Sequence, residues 1–534
     1  MRRLSALIAG LVLAPVLATG CDSGAQIVDY GPQRGSADVA TNTPVQITFD
    51  RPVNQRSVAD RFRLTPAASG TVTWPHPNQL VFKHDPLRTS TQYTVELQAG
   101  YSDAQGHIYS LRHWWSFTTE GPPELVSTSP GAGDGNVDPA AYLSLSFSRA
   151  MNVGALAGAV SIEPDTPLSL REDPADGRRV IVAPQVLLQP GTSYTVVVDR
   201  GALDVDGNPL RAAGHLRFQT GANRALRHWI GALTQPFGQH SGEGVWIVDE
   251  NRFPRRISHV AADGFGWSPD GLGVLLHLPG DRWAAQAVGG ALLQLPFQAD
   301  WAADLGGGRG YVYLEGDRLR LLDGAGRTSE LATGVGEAAP APDGQQVAYT
   351  VPGSGVTQVM AMEVELRARY RLVAEAGRVV DLAWSPDGLR LAYRTPALDP
   401  SISEVRVLSL TGSGSVITVA SGDTTAPRWL DESHLVFAAD TPTPTGTHSR
   451  AYRVSALAPG DALAPAQALP ATGDLNVRDP TPSPDGHQIA FLAGDPGSYE
   501  LWLMNADGTG VVQLTAYDGA GFPYSVRALA WTPT

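Results

Sequence analysis

From Ile27 onward the chain is written in short runs where apolar and polar residues alternate, interrupted every few positions by Gly, Pro, Asp and Asn. A period of two sends successive side chains to opposite faces of a strand, so this pattern predicts an all-β protein. The stretch LAWSPDGLRLAYR (382–394) shows one unit in detail. Pro386 presets φ for a turn, Asp387 can accept hydrogen bonds from nearby backbone, and Gly388 tolerates the positive φ that lets the chain reverse. After the turn Leu391 and Tyr393 alternate with Arg390 and Arg394, with Ala392 between the apolar pair. The same grammar is spelled by Val347, Ala348 and Tyr349, and by Ile489, Ala490 and Phe491. Each apolar pair predicts packing on one face of its sheet, and each alanine a close approach of the next sheet on the other.

The turn recurs as WSPDG from Trp267, APDG from Ala341 and SPDG from Ser483. Aligning these units places strand ends at Trp267, Trp301, Pro340, Trp384, Trp429, Pro482 and Trp531. A period of roughly 40–45 residues with several short strands per unit predicts a β-propeller. Residues 222–534 would accommodate seven blades at the usual length, with six as the alternative. GVWIVDENRFPRRIS (244–258) reads as the outer half of a blade, with Trp246 in the place of Trp502 and Ile257 in the place of Leu514. ALAWTPT at the end reads as an inner strand, so both extremities of the segment are expected to complete one blade and close the ring. The pattern WSPDG, an apolar strand, then ELWLMNADGTGVVQLT (500–515) resembles the TolB-like propeller repeat. TolB-like propellers also occur fused to an α/β-hydrolase domain in certain peptidases, and none is expected here, since the Ig-like and propeller segments account for the sequence.

The earlier part of the chain repeats itself once. PVQITFDRPVN (44–54) aligns with AYLSLSFSRAMN (141–152), pairing Phe49 with Phe147 and Asn54 with Asn152. TQYTVEL and WSFTTE align with TSYTVVV and RFQTG, pairing Tyr93 with Tyr194 and Phe117 with Phe218. Each copy has the strand and turn pattern of a β-sandwich, over 27–121 and 122–221. The copies, with LQPGTSYTVVV and DVDGNPL in the second, resemble bacterial Ig-like modules related to those of surface-layer proteins. That resemblance implies spacer or adhesive units. Alternation directs Trp115 and Phe117 inward and Trp114 outward, where contact with the neighbouring module is expected.

MRRLSALIAGLVLAPVLATGC has two arginines, an apolar stretch from Leu4 to Leu17 and then small residues, the layout of a secretory signal over 1–20. It is too short to span a bilayer comfortably. Cys21 is the single cysteine, and LATGC resembles the lipobox of bacterial lipoproteins, which implies lipid attachment at Cys21 and a short linker over 21–26. The membrane is expected to be reached through this lipid alone, at the extracytoplasmic face of the cell envelope.

Charge and chemistry narrow the function. The net charge of -14 and the lack of a basic run exclude a nucleic-acid binder. Asp204, Asp206 and Asn208 have the first three spacings of an EF-hand loop, but Pro209 replaces the required glycine and His215 the bidentate Glu, so a turn carried by Gly207 is expected instead. The turn aspartates Asp270, Asp343, Asp387 and Asp485 are explained by their turns, and the repeated tryptophans by packing between blades. The sequence lacks the G-x-S-x-G, H-E-x-x-H and P-loop motifs and a Cys/His cluster with metal-ligand spacing, so no catalytic residue, metal or cofactor is expected. Around the inner strands the inward polar candidates are Asp381 and Asp479. The expectation is therefore a lipid-anchored binding or scaffold protein, with Ig-like modules as spacer and the propeller as platform for an envelope protein or glycan. Loops 440–450 and 516–525 are candidate contact regions. A propeller enzyme acting on envelope or extracellular polysaccharide, of lyase or hydrolase type, is the alternative.

Overall fold

A computed structural model describes residues 24–533 except 223, 236–242, 249–253, 398–402, 413, 444–445, 461, 464–466, 470–474, 496–497 and 516–524. The signal segment and Cys21 lie outside the described residues. The described residues form an all-β protein, and no helix among them is long and apolar enough to cross a membrane.

Both repeats are two-sheet modules built on the same plan. In the first, a four-stranded sheet ordered Ile27–Gly31, Val45–Phe49, Gln79–His84, Gly70–His76 faces a three-stranded sheet of Phe62–Thr65, Gln92–Leu97 and His113–Thr118. The second repeats this arrangement with Leu125–Ser129, Leu143–Phe147, Asp176–Pro184 and Leu168–Asp173 against Val160–Glu163, Ser193–Val198 and Gly214–Gln219. The aligned residues do the same physical job in each copy. Asn54 and Asn152 cap five-residue helices, their side chains accepting from Ser57 N–H and Ala155 N–H. Tyr93 stacks on Phe117 and Tyr194 on Phe218, with ring centroids 5.9 and 5.7 Å apart. The Tyr93 hydroxyl accepts from Arg88 N–H and the Tyr194 hydroxyl from Gln189 N–H, which satisfies a buried phenol while fixing the turn before its strand. Trp115 is buried as expected. Trp114 points outward, but its companion is Arg34 of its own module, which lies 5.5 Å over the indole and donates to the Trp114 carbonyl. The expected contact with the second module is corrected accordingly: an adjacent arginine satisfies the exposed ring through its quadrupole.

Beyond residue 222 the described strands form seven consecutive antiparallel sheets, six of four strands and one, sheet 6, of three. Sheet 1 contains Ile230–Gln235, Gly244–Val248 and Arg255–Ser258, and takes Ser525–Trp531 from the far end of the chain as its fourth strand. Ile230 pairs with Trp531 and Gln235 with Ser525. Sheets 2 to 7 start with the strands Gly264–Trp267, Trp301–Asp304, Ala338–Pro340, Val380–Trp384, Arg428–Asp431 and Val477–Pro482.

The core between the sheets follows the alternation. Val347 and Tyr349 pack in a cluster shared with sheet 3, whereas Ala348 packs in one shared with sheet 5. Leu391 and Tyr393 face sheet 4 while Ala392 faces sheet 6. Ile489 and Phe491 face sheet 6 while Ala490 faces sheet 1. Every apolar cluster beyond the Ig-like modules joins two neighbouring sheets, and one of them joins sheet 7 to sheet 1 through Leu492, Leu503, Ile230 and Trp531. The turns have the expected chemistry. In the unit at 385–388 the Ser385 hydroxyl donates to the Asp387 carboxylate, which also accepts from Leu389 N–H, and Gly388 has φ 69°.

Two expectations are corrected. Trp301 begins its strand, and the strand ends at Asp304, which pairs with Tyr311 just as Trp384 pairs with Leu391. The glycine-rich LGGGRG makes this turn, so the indole stands three residues earlier in the register than in its sister units. The segment 440–450, read as a loop, is mostly the paired end of a hairpin in which Asp440 opposes Ser449 and Thr443 opposes Gly446. Its threonine-rich sequence suits extended backbone. Residues 516–524 of the other candidate loop lie outside the described residues.

Candidate functional site

Positions Trp267, Asp304, Pro340, Trp384, Trp429, Pro482 and Trp531 are equivalent in register, because the residue before each opposes a second-strand residue that faces the following sheet, although the strand of sheet 6 runs on to Asp431. Four of the tryptophans tie neighbouring first strands together. Trp384 Nε1 donates to the Ala339 carbonyl at 3.0 Å, Trp429 Nε1 to Ala383 at 2.9 Å, Trp531 Nε1 to Thr481 at 2.9 Å and Trp267 Nε1 to Ala530 at 3.1 Å. An indole crossing to the previous strand needs a small side chain beside its acceptor. Alanine or threonine stands at all four acceptor positions.

Sheets 4 and 7 carry Pro340 and Pro482 where these units carry tryptophan, and both prolines line a cavity of about 720 Å³. First strands of five sheets contribute to its wall, including Trp301, Ala338, Leu382, Trp429 and Thr481. The cavity exists because no indole fills the space at those two positions.

Three acidic residues stand three positions before their strand ends: Glu337, Asp381 and Asp479. Asp381 and Asp479 adopt φ of 60° and 47°, each at a bulge in its strand, a conformation that aspartate tolerates better than most side chains. The first bulge turns two amides toward the preceding sheet. Glu337 Oε2 accepts from Asp381 N–H at 2.9 Å and Oε1 from Leu382 N–H at 2.8 Å. Burial pushes the Glu337 carboxyl above its ordinary pKa, while these two amides and Arg378 oppose the shift and the Asp381 charge adds to it. Asp381 is engaged in turn by Arg394 Nε at 2.6 Å.

Arg428 is different. It occupies the position just before Trp429 in sheet 6, where the equivalent positions of the other six sheets have Gly266, Ala303, Ala339, Ala383, Thr481 and Ala530. The next sheet carries Pro482 rather than an indole, which leaves room for the long side chain. Arg428 is exposed and lines the cavity, where the charges of Asp479 and Asp381 act on its guanidinium. Neither acid forms an ion pair with it, and among the described residues nothing hydrogen-bonds to it.

Of the two inward polar groups expected from sequence, both lie at this inner register. Glu337 and Arg428 were not expected. The signal was available: counting back three residues from the APDG turn's strand end gives Glu337, and one residue from Trp429 gives Arg428.

A second polar cluster holds the two Ig-like modules together. The turn DVDGNP forms as expected, with Gly207 at φ 84° and Asp204 Oδ1 accepting from the amides of Asp206 and Asn208. Asn208 Nδ2 also donates to Glu120 at 2.8 Å, and its Oδ1 accepts from the Thr41 hydroxyl of the first module. Asn42 reaches Asp206, and Arg149 joins Glu120 to Asp38. Glu120, Asp204 and Asp206 bring carboxylate oxygens within 4.8 Å of one another, a spacing that a cation could bridge, although Arg149 already supplies positive charge there. The second module is joined to sheet 1 by Arg255, which is fully buried. It donates to the carbonyls of Ala140 and Ala141, with its guanidinium 4.4 Å over Tyr142 and 5.4 Å over Trp229.

The family model of the bacterial Ig-like domain matches residues 22–119 and 120–220, so the chain carries two such domains. No curated protein matches it. Among solved structures it is similar to TolB from Acinetobacter baumannii, at 14% identity over 70% of this chain and 83% of that one, with a TM-score of 0.36. It is also similar to an oligogalacturonate lyase in complex with manganese, at 13% identity over 54% of this chain and 96% of that one, with a TM-score of 0.36. A third similarity is to the tricorn protease, at 10% identity over 90% of this chain and 53% of that one, with a TM-score of 0.39.

Proposed function

We propose that sheets 1 to 7 are the blades of one closed seven-bladed propeller, and that the chain is an extracytoplasmic binding protein whose ligand enters at the inner strands. The apolar cluster joining sheet 7 to sheet 1 and the Ser525–Trp531 pairing support the closure. The observation that carries the binding role is the cavity of about 720 Å³ with Arg428 facing it unengaged. A concave site of this size, in which Glu337, Asp381 and Arg428 converge among proline, alanine and tryptophan side chains, has the general character of a ligand pocket.

A binding role is favoured over catalysis because Glu337 and Asp381 are committed to backbone amides and to Arg394. Acid and base work needs two carboxyls free to face one substrate. The Ig-like modules serve as the spacer. Their junctions, through Glu120 and Arg149 on one side and Arg255 on the other, support a rigid support rather than a loose tether. In this reading Cys21 carries a lipid, the chain sits at the envelope's extracytoplasmic face, and the partner is an envelope protein or glycan.

Crosslinking of the full-length protein in native cells, followed by identification of the adducts, tests the reading. A reproducible envelope protein or glycan attached to residues 222–534 is expected. Adducts confined to the Ig-like modules would overturn it. For the anchor, Cys21→Ser is expected to abolish incorporation of labelled fatty acid and release the protein from membranes.

A further inference from the structure

We propose that the cavity recognises a singly charged organic carboxylate, with Arg428 as the residue that receives the carboxylate and the proline and alanine wall as the surface that receives the ligand's apolar body. The inference rests on the reading of this cavity as the binding site and names the chemistry that it selects.

Four observations converge. The register position of Arg428 is filled by small residues in every other sheet, so its side chain is not required by the packing scheme that builds the ring. A planar guanidinium offers five donors in a fixed fork, and here the described residues use none of them. That fork matches two carboxylate oxygens, so a carboxylate can be held by two parallel bonds. Arg394, which also stands near the inner register, is consumed by Asp381 and the Thr424 carbonyl, whereas Arg428 lines the cavity without such partners.

The neighbouring acids decide which anion fits. Asp479 and Asp381 are close enough to act on Arg428 electrostatically, and Glu337 stands at the same inner register. A phosphate or sulfate carrying two charges would meet their repulsion with one arginine to offset it. Glu337 and Asp381 line the same cavity as Arg428, so each further negative charge on a ligand is penalised and one charge is favoured over two. Pro340, Pro427 and Pro482 offer rigid apolar surface for that body without ordering cost in the wall.

The test uses the full chain and fluorine NMR. 4-Fluorobenzoate is the carboxylate probe, 4-fluorobenzamide its uncharged counterpart of the same shape, and inorganic phosphate the competitor. Saturable broadening of the benzoate line is expected below about 10 mM, the affinity scale of one charge-assisted contact plus a small apolar body. The benzamide line should broaden at least tenfold less at equal concentration, and phosphate should not displace the benzoate. Arg428→Met is expected to abolish the effect and Arg428→Lys to keep part of it, while thermal unfolding of Arg428→Met stays cooperative. No saturable broadening by the benzoate, equal broadening by the benzamide, or undiminished binding to Arg428→Met would overturn the proposal. Crosslinked partners on residues 222–534 together with any of those results would leave the binding role standing and remove only the carboxylate specificity.

Discussion

Trp267 Nε1 donates to the carbonyl of Ala530 at 3.1 Å across 263 positions of sequence. The bond joins the first strand of sheet 2 to the strand that the far end of the chain adds to sheet 1. Gly231, which opposes Ala530, sits under the same indole: a Cβ there would come within 2.9 Å of the Trp267 ring. Trp267→Phe keeps most of the apolar surface and loses the donor, leaving the Ala530 carbonyl without its indole partner. The expected cost is about 1 kcal/mol, read by denaturant unfolding. Gly231→Ala should cost more, because the contact must be relieved by moving the ring.

Arg255 makes the opposite kind of prediction from a surface arginine. Its charge is fully buried against two carbonyls and two aromatic rings, so its removal empties a cavity and strands the carbonyls of Ala140 and Ala141. Arg255→Ala is expected to destabilise the junction by about 3 kcal/mol and to expose residues 221–229 to protease while both flanking modules stay folded. Limited proteolysis with mass mapping checks it.

The tyrosine corners test the equivalence of the two Ig-like modules. Tyr93→Phe and Tyr194→Phe each remove one bond from a phenol to a backbone amide, at Arg88 and Gln189. Each should cost about 1 kcal/mol, and the double variant should show the sum because the sites share no partner. Calorimetry that finds one substitution silent would break the equivalence.

The repeated turn has a pH signature. Burial raises the Asp387 pKa, but the Ser385 hydroxyl, the Leu389 amide and the Arg390 charge outweigh it and hold the carboxyl below its ordinary value of 3.8. A depressed native pKa means the ionised form stabilises the fold above the unfolded value, and this contribution is lost as pH falls through the native one. Wild type is therefore expected to exceed Asp387→Asn in stability by about 1 kcal/mol at neutral pH. The difference should shrink toward zero as the pH drops below the ordinary value, as followed by urea unfolding at several pH values.

How far the sequence could be read follows from where local rules suffice. Val347, Ala348 and Tyr349 announce which face meets which neighbour because a strand's period is invariant, and the Ser-Pro-Asp-Gly turn announces itself through φ preferences. Trp301 misled because its indole suggested a strand end while its turn is built from glycines, so the register slipped by three residues. Arg255 was invisible because nothing local distinguishes an arginine buried by a neighbouring module from a solvated one. Glu337 and Arg428 escaped because their units lack part of the motif, and a position's meaning in a ring emerges only when all its units are counted from the same point.

The proposed function stands on the closed ring, whose seam would lie between sheets 7 and 1. Hydrogen–deuterium exchange on the intact protein measures closure directly through the amides of Ser525–Trp531 and Ile230–Gln235, which are paired residue by residue. The two segments are expected to be protected alike and to exchange together, as strands of one sheet do. Rapid exchange of Ser525–Trp531 while Ile230–Gln235 remains protected would contradict closure, and with it the proposed propeller.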